Sequence, residues 1–326
     1  MPETNSAKIF HWLQDHLGEQ IKILIIPYKR DMWDSFAGIY KIANSTPGCS
    51  ADIMPIPYTF KGQQSGQIKW FLDDFSDVAC SGGVVGYQKK PQKGEYDAIL
   101  IHNPYDGANY VTTVHPAFYS DRLKGLSRCL ALVPYGVGTI CLITPGLVNV
   151  DVVFTENEQV VESFKEQLRQ EDATEEEVEY IASKCVTFGS PKFDLYMDDI
   201  TVPEEWKRAI KGKRVVLLTT SIAPFLQDPA GEMVKIGQVI ADISTDPDCM
   251  LIWREHPLIK PTILTMRPQF VEEYGKFQKN YIDQGLGLLD RTQDYRIAFS
   301  VADVLYTDPS SLVYIWEQTG KEIHIL

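Results

Sequence analysis

Short apolar runs alternate with longer amphipathic runs along this chain, and this alternation restricts the fold more than any other feature. The strand-like runs are IKILIIP, ADIMPIP, YDAILIHNP, CLALVPY and VDVVFT in the first half, and RVVLLTT, CMLIWRE, GLGLLD, ADVLYT and EIHIL in the second. A helix-like run, AKIFHWLQDHL, opens the chain, and others such as DMWDSFAGIYKIA and GEMVKIGQVIADIS lie between the strand-like runs. Strands that alternate with helices are typical of α/β proteins whose sheets are mostly parallel.

A polar, proline-containing segment, SPKFDLYMDDITVPEEW at about residues 190–206, separates the two series of strands. We therefore predict two doubly wound, Rossmann-like domains, residues 1–200 and 201–326, that face a shared cleft. In such folds ligands bind outside the carboxyl ends of the strands, at the point where the strand order switches.

The charge balance excludes some classes of partner. The net charge is -13 over 326 residues, which argues against unaided electrostatic binding of nucleic acid or anionic lipid. The most apolar stretch, ALVPYGVGTICLITPGLVNVDVVF, is interrupted by proline and glycine, unlike a membrane span. The polar N-terminus lacks a secretory signal, so we expect a cytoplasmic protein.

The segment Thr307-Asp308-Pro309-Ser310-Ser311 lies between a strand-like run, VLY, and a helix-like run, LVYIWEQTG. It has two interpretations. It is an ordinary helix cap, with Asp308 or Thr307 as the capping residue and Pro309 in the first turn. Alternatively, the free N–H groups of the helix and the serine hydroxyls bind an anion such as phosphate.

A second polar group follows another strand in the same half. The run CMLIWREHPL places Arg254 and His256 at the carboxyl end of its strand. Arginine offers paired donors and histidine a titratable one. Two strands therefore end in groups that can meet the same anion, which favours a phosphate site over a simple cap.

These motifs resemble those of the CDP-glycerol glycerophosphotransferases, the teichoic-acid primases and polymerases with a GT-B fold. WREHPL is similar to the family's Arg-x-His-Pro motif, and ADVLYTDPSSLVYIW to its Ser/Ala-Asp-x-x-x-Thr-Asp-x-Ser-Ser motif. VTFGSPKFDLY is similar to the Gly-x-Pro-(Arg/Lys)-x-Asp motif that precedes the family's second domain. The resemblance is best from about residue 151 onward.

The resemblance implies a GT-B-like fold and a nucleotide site in the second domain. It implies that six residues hold the CDP part of the donor: Arg254, His256, Thr307, Asp308, Ser310 and Ser311. A protonated His256 would also neutralise the charge of the leaving group. GT-B second domains normally continue past the last strand with further helices. The sequence stops after the strand-like run EIHIL, so we expect this domain to lack its last helices.

The first half departs from the family pattern. The transferases carry a Trp-His-Gly motif whose histidine is the expected base, whereas this chain has LVPYGVGT, with Tyr135 and Gly136, at the corresponding place. The chain thus resembles a divergent branch without that motif. His102, after AILI, and His115, in VHPAF, are the alternative bases. For either histidine a structural role stays open.

The run PYKRDMWDSF follows the first strand. Lys29 and Arg30 would lie at the carboxyl end of that strand and could clamp the phosphate of an acceptor. The alternative interpretation is a solvated turn followed by a buried tryptophan.

The sequence therefore predicts a transferase that moves a polyol phosphate, glycerol phosphate first among them, from a CDP-activated donor to a cell-surface polymer or glycan acceptor. The alternatives are a catalytically degenerate module that binds a nucleotide or sugar phosphate, and a GT-B sugar-nucleotide glycosyltransferase or epimerase. No cofactor or metal is expected, because neither dinucleotide and Walker motifs nor metal-ligand spacings occur. Peripheral association with the inner face of the membrane stays open.

Overall fold

The computed structural model describes residues 3–61, 68–79, 83–109, 111–137, 144–194 and 200–326. The chain divides into two compact units: the described residues up to 194 form the first unit, and residues 200–326 form the second.

The first unit is built around a parallel sheet. Its strands are β1 (Lys22–Ile26), β2 (Ser50–Ile53), β3 (Tyr58–Phe60), β4 (Ala98–Ile101), β5 (Thr112–Val114), β6 (Cys129–Leu132), β7 (Val152–Thr155) and β8 (Cys185–Thr187). Its helices are α1 (Asn5–Leu17), α2 (Asp34–Ser45), α3 (Ser120–Leu123), α4 (Pro145–Asn149), α5 (Glu158–Gln170) and α6 (Glu175–Ser183). The strand order is β2-β1-β4-β6-β7-β8, with parallel pairings throughout. β3 and β5 form a separate antiparallel pair.

Successive residues of β1 enter cores on opposite faces of this sheet. Ile23 and Ile25 pack in the core that includes residues of α1 and α2, whereas Leu24 and Ile26 pack in the core that includes residues of α5 and α6. Side chains alternate between the faces of a strand, so a strand buried on both sides must be apolar throughout, as KILII is. Burial of each such side chain contributes about 1.5–3 kcal/mol.

The second unit is built around a doubly wound, Rossmann-like parallel sheet. Its strands are β9 (Arg214–Thr220), β10 (Cys249–Glu255), β11 (Leu288–Leu289), β12 (Val304–Thr307) and β13 (Glu322–Ile325). Its helices are α7 (Glu204–Ala209), α8 (Ile222–Gln227), α9 (Pro229–Ser244), α10 (Ile259–Met266), α11 (Val271–Asp283), α12 (Tyr295–Val301) and α13 (Ser311–Glu317). The order is β11-β10-β9-β12-β13, all parallel. The order therefore reverses between β9 and β12.

The core on one face of the second sheet joins the two central strands to their crossover helices. Leu218 of β9 and Trp253 of β10 pack there with Ile236 of α9 and Tyr281 of α11. Trp253 is fully buried, and its ring meets Tyr281 edge-on at 5.3 Å between centroids. Such edge-to-face contacts add about 0.5–1.5 kcal/mol beyond the area that they bury.

The predicted α/β class with mostly parallel sheets is confirmed, and each strand-like run forms a strand. The sequence missed β3, β5 and β8, which are short. β3 lies at the start of a long, weakly patterned segment, about residues 59–95, and part of that segment lies outside the described residues. Part of the apolar stretch after Tyr135 lies outside them as well.

The end of the first unit is held against α1 and α2. A single turn of 3-10 helix (Pro191–Asp194) carries Asp194, whose carboxylate accepts from Asn5 N and Ser6 N, both at 2.8 Å. Lys192 forms a buried ion pair with Asp34 of α2 at 2.8 Å. We call Lys192 and Asp194, with their partners, the clasp.

Gly189, just before the clasp, explains the glycine of the Gly-x-Pro-Lys-x-Asp sequence. Its φ is +91°, a conformation that L side chains rarely adopt. A Cβ there would lie 2.7 Å from Oδ1 of Asn5. In the described structure, this motif positions the first helix.

Candidate functional site

The candidate site of the second unit is at the carboxyl ends of β9 and β12. These adjacent strands are the point at which the strand order reverses, where open α/β sheets bind their ligands. β9 leads into Ser221 and β12 into Asp308. The sequence motif TDPSS therefore lies at the position that this topology favours.

Asp308 joins these two strand ends. It is almost completely buried, and its Oδ2 accepts from Ser221 N at 2.7 Å. Its Oδ1 accepts from Lys235 Nζ of α9 at 2.6 Å. The carboxylate is thus used to tie β12 to the residue after β9 and to a helix.

The hydroxyl of Thr307 also makes hydrogen bonds within the second unit. Thr219 Oγ1 donates to Thr307 Oγ1 at 2.6 Å, and Thr307 Oγ1 donates to Asp308 O at 2.8 Å. Both threonines are buried. This pair ties β9 to β12 beneath Asp308.

The helix cap differs from the prediction. Ser310, with extended φ and ψ of -159° and 172°, is the capping residue, and its Oγ accepts from Leu312 N at 3.3 Å. The expectation that Asp308 or Thr307 caps α13 is wrong, because Asp308 is committed to Ser221 and Lys235. Ser311 is the first helical residue, so Pro309 lies before the helix rather than in its first turn.

His256 follows β10 next to these strands. Its backbone N donates to Thr220 O at 2.9 Å, which ties the end of β10 to the end of β9. Leu258 N donates to His256 Nδ1 at 3.1 Å. Since Nδ1 accepts, the neutral ring carries its proton on Nε2, which makes that atom a hydrogen-bond donor.

Arg254 has a carboxylate partner within the unit. Its Nη1 forms a buried ion pair with Asp290 Oδ2 at 2.6 Å and donates to Thr292 O at 3.0 Å. Removing one member of such a pair leaves a buried charge, which typically costs about 3–5 kcal/mol. A structural role for Arg254 is therefore established by its contacts, while its role in binding stays a prediction.

Sequence reasoning missed Lys235 and Glu232. They are three residues apart on α9, and Lys235 Nζ lies 2.9 Å from Glu232 Oε2 as well as 2.6 Å from Asp308. An i, i+3 pair of opposite charge usually lies on a solvated helix face, yet Glu232 is only 5% exposed. Burial, then the charge of Asp308, raise the pKa of Glu232, against the opposing effect of Lys235.

His102 lies at the corresponding point of the first unit. There the strand order reverses between β1 and β4, and His102 directly follows β4. The ring is fully buried; Tyr28 N donates to Nε2 at 3.3 Å, and Nδ1 lies 3.3 Å from Ser35 Oγ. Burial, then the charges of Lys192 and Lys29, lower the pKa of His102 to about 3.

His115 is half-buried beside an exposed aromatic ring. Ala117 N donates to His115 Nδ1 at 3.2 Å, and the His115 ring lies 4.8 Å from that of Trp70. The neutral ring therefore carries its proton on Nε2. Trp70 lies in the weakly patterned segment, which gave no sequence signal for this contact.

Lys29 and Arg30 do not form a solvated turn. Both are buried, Lys29 in an ion pair with Asp31 at 2.7 Å and Arg30 in one with Asp77 at 3.0 Å. The neighbouring Trp33 is buried, as the alternative interpretation expected. The acceptor clamp stays a prediction, since each cation already has a carboxylate partner.

The structure thus places His256 at the end of β10 and Thr307, Asp308 and Ser310 at the end of β12, on either side of β9. In the first unit it places Lys29 near enough to His102 for its charge to lower the pKa of that ring. Among the residues that the structure describes, no group of three or more His, Cys, Asp or Glu side chains could hold a metal ion. None of the helices in the described ranges has the length and apolar character needed to cross a bilayer.

Comparisons with known proteins show similarity of fold. The chain is similar to UDP-GlcNAc 2-epimerase from Neisseria meningitidis bound to UDP-GlcNAc, with a TM-score of 0.56 and 13% identity over 94% of this chain and 82% of that one. For the S. aureus MnaA–UDP structure the TM-score is 0.54, with 13% identity over 94% and 79%. For the wall teichoic acid polymerase TagF with CDPG it is 0.50, with 13% identity over 99% and 73%.

No family model matches the chain, and no curated protein matches it in sequence. The resemblance to the glycerophosphotransferases therefore stays a prediction at the level of family. At 13% identity the similar structures establish the architecture alone. The chain has the GT-B-like α/β fold, with two parallel sheets, that epimerase and polymerase structures share.

Proposed function

We propose that the protein is a GT-B-like transferase that moves glycerol phosphate, or a related polyol phosphate, from a CDP-activated donor to a cell-surface polymer or glycan acceptor. One observation carries the proposal. Residues from two motifs that resemble those of the CDP-glycerol glycerophosphotransferases lie at the carboxyl ends of β10 and β12, the two neighbours of β9. Those ends adjoin the point of strand reversal at which such sheets bind ligands.

The second unit would bind the donor. The acceptor oxygen attacks the phosphorus that bears the polyol, the bond from that phosphorus to the bridging oxygen breaks, and CMP leaves. Donors fixed in place stabilise the negative charge that develops on the bridging oxygen. His256 supports this role because it directly follows β10, beside β9, and carries its ring proton on Nε2 when Nδ1 accepts from Leu258 N.

The first unit would bind the acceptor, and His115 is the better-placed base. His102 is buried with partners on both nitrogens, whereas His115 is half-buried. In the tautomer set by Ala117, Nε2 of His115 already holds a proton. His115 must therefore release the Ala117 N–H and exchange tautomers before Nε2 can accept the proton of an acceptor hydroxyl.

Calorimetry with CDP-glycerol, CDP and UDP tests the donor assignment. We expect the cytidine compounds to bind more tightly than UDP. His256→Asn keeps an acceptor for Leu258 N and loses the Nε2 donor, so binding should weaken by about 1–3 kcal/mol. His324→Asn, which changes a half-exposed histidine on β13 paired with Glu322, is the matched control. A protein that binds no cytidine diphosphate contradicts the proposal.

A second candidate is a module that binds the nucleotide without transferring anything. The buried, neutral state of His102 and the tautomer of His115 favour it, because neither ring is set to accept a proton at Nε2. If the wild type releases CMP from CDP-glycerol in the presence of a polyol-phosphate polymer, and His115→Ala does not, the protein is the transferase rather than the binding module. We place the reaction in the cytoplasm, at the inner face of the membrane, by the resemblance alone.

A further inference from the structure

We propose that Lys235 contacts a phosphate group of the bound nucleoside diphosphate, and that Asp308 and Glu232 position this lysine without touching the ligand. The inference rests on the proposed function, because it assigns roles within the same nucleotide site. It gives Asp308 a different role from the one that the motif resemblance implies.

The geometry of Asp308 is the first step. A carboxylate and a phosphate are both negative, so a direct hydrogen bond between Asp308 and a diphosphate needs a proton on one of them. Its two oxygens are instead used by Ser221 N and by Lys235 Nζ. Since these two donors share one carboxylate, the ammonium of Lys235 must lie within a few ångströms of the loop that follows β9.

The hydrogen-bond capacity of Lys235 is the second step. An ammonium group has three N–H donors, and Asp308 and Glu232 accept two of them. The lysine side chain is 34% exposed, whereas its partners are 1% and 5% exposed. Within the described part of the chain, the third donor is thus available at the accessible side of the cluster.

Two residues of this cluster, Ser221 and Glu232, each have a buried oxygen that lacks a hydrogen-bond partner among the described residues. Ser221 Oγ and Glu232 Oε1 are inaccessible to solvent and make no hydrogen bond with any described residue. Unsatisfied buried polar atoms typically cost about 1–3 kcal/mol each, so they indicate a place where a ligand or its water completes the network. Both atoms belong to residues bonded to Asp308 or Lys235.

The charge of the cluster allows an anion to approach. With both carboxylates ionised, the cluster would carry a net negative charge and repel phosphate. Burial raises the pKa of Glu232, and the charge of Asp308 adds to this, so protonation of Glu232 is favoured relative to an exposed glutamate. The protonated form leaves Lys235 balanced by Asp308 alone, with an N–H donor facing outward.

Calorimetry of the full chain with inorganic pyrophosphate and with CDP tests this assignment. In Lys235→Gln we expect both ligands to bind about tenfold more weakly or worse, as for a lost charged hydrogen bond. Lys235→Arg, which keeps the charge and donors, should recover most of the affinity. Lys207→Gln removes the other i, i+3 lysine pair of this unit, with Glu204 on α7, and should change nothing.

The role of Asp308 has its own test, a double-mutant cycle. If Asp308 acts only through Lys235, then Asp308→Asn weakens pyrophosphate binding in the wild type and adds no further loss in Lys235→Gln. An additional loss in the double variant would mean that Asp308 contacts the ligand itself and would overturn its positioning role. Thermal unfolding of each variant separates loss of binding from loss of folding.

Glu232→Gln tests the cluster with a side chain of the same size and shape, so a change in binding is not due to misfolding. It keeps an oxygen for Lys235 and fixes the neutral state that the protonated glutamate has, so pyrophosphate should bind at least as tightly as to the wild type. A marked loss would overturn the assigned role of Glu232.

The outcomes for the two proposals differ. Unchanged affinity in Lys235→Gln overturns the inference and leaves the proposed function standing. Binding of pyrophosphate that depends on Lys235, without binding of any cytidine compound, supports the inference and contradicts the proposed function. A wild-type chain that binds neither ligand contradicts both.

Discussion

A single backbone N–H decides the tautomer of each candidate histidine. Leu258 N and Ala117 N donate to Nδ1 of His256 and His115, so both rings hold their proton on Nε2. Tyr28 N donates to Nε2 of His102, which places that proton on Nδ1. The first two histidines therefore present a donor at Nε2, a state that suits contact with phosphate and opposes immediate action as a base.

His102 should make folding sensitive to acid. Its pKa is about 3 in the folded chain and near 6.5 when unfolded, so between these values the unfolded state binds a proton that the folded state does not. The free energy of unfolding then falls as the pH is lowered from about 6.5 towards 3, by about 1.4 kcal/mol per pH unit.

Urea unfolding at several pH values, for the wild type and His102→Gln, measures this effect. The wild type should lose stability more steeply below about pH 6.5 than the variant, because only the wild type has this buried histidine to protonate on unfolding. Equal slopes for the two proteins would show that His102 takes up a proton while folded.

Residue types and spacing predicted part of the second-unit site. WREHP and TDPSS were visible because each directly follows an apolar strand, and the sheet brings those ends together. Lys235 and Glu232 were not, since a lysine and a glutamate three residues apart on a helix are typical of a solvated surface. Only the fold shows that Lys235 of α9 contacts Asp308 after β12 and that Glu232 shares this lysine.

At the scale of elements, the clasp accounts for a motif that resembles a family signature. Gly189, Lys192 and Asp194 hold the end of the first unit to α1 and α2. The charge of Asp194 also lies at the positive end of the α1 dipole, where a carboxylate is stabilising.

Asp194→Asn should lower the free energy of unfolding by about 1–3 kcal/mol, because hydrogen bonds from Asn5 N, Ser6 N and Ser6 Oγ lose a charged acceptor. Chemical denaturation followed by tryptophan fluorescence measures the loss. Asp15→Asn, on the exposed face of the same helix, is the control and should change stability by less than about 0.5 kcal/mol. Equal effects of Asp194→Asn and Asp15→Asn would show that the clasp does not contribute to stability.

Elements with a strong period were predictable, whereas short elements were not. α5, with Val161, Phe164 and Leu168 on its buried face, follows the helical spacing of apolar residues. β3 and β5 span too few residues to show alternation, and they exist because each supplies the other with hydrogen-bond partners. Pairing between distant segments leaves no local signal in a sequence.

At the scale of the whole molecule, nucleotide binding should affect the two units unequally. A ligand at about 100 times its dissociation constant stabilises the folded state by about 2.7 kcal/mol. The proposed site is built from strand ends of the second unit alone, so protection from hydrogen exchange should appear there first.

Hydrogen exchange with and without CDP therefore gives a regional test. We expect slower exchange at amides of β9, β10 and β12 and little change in the sheet of the first unit. Protection confined to the ends of β1 and β4 would place the nucleotide in the first unit instead and contradict the donor assignment.

The clasp also has a consequence for synthesis on the ribosome. Asp194 lies 189 residues after Asn5 in the chain, so the carboxylate that accepts from the first turn of α1 emerges only when nearly all of the first unit has been translated. Domains generally fold in order as they leave the ribosome, yet here the first helix waits for the last turn of its own unit. A nascent chain halted before Asp194 would leave Asn5 N and Ser6 N without this carboxylate, with Thr4 alone capping α1, so chaperone contacts should end when this turn emerges.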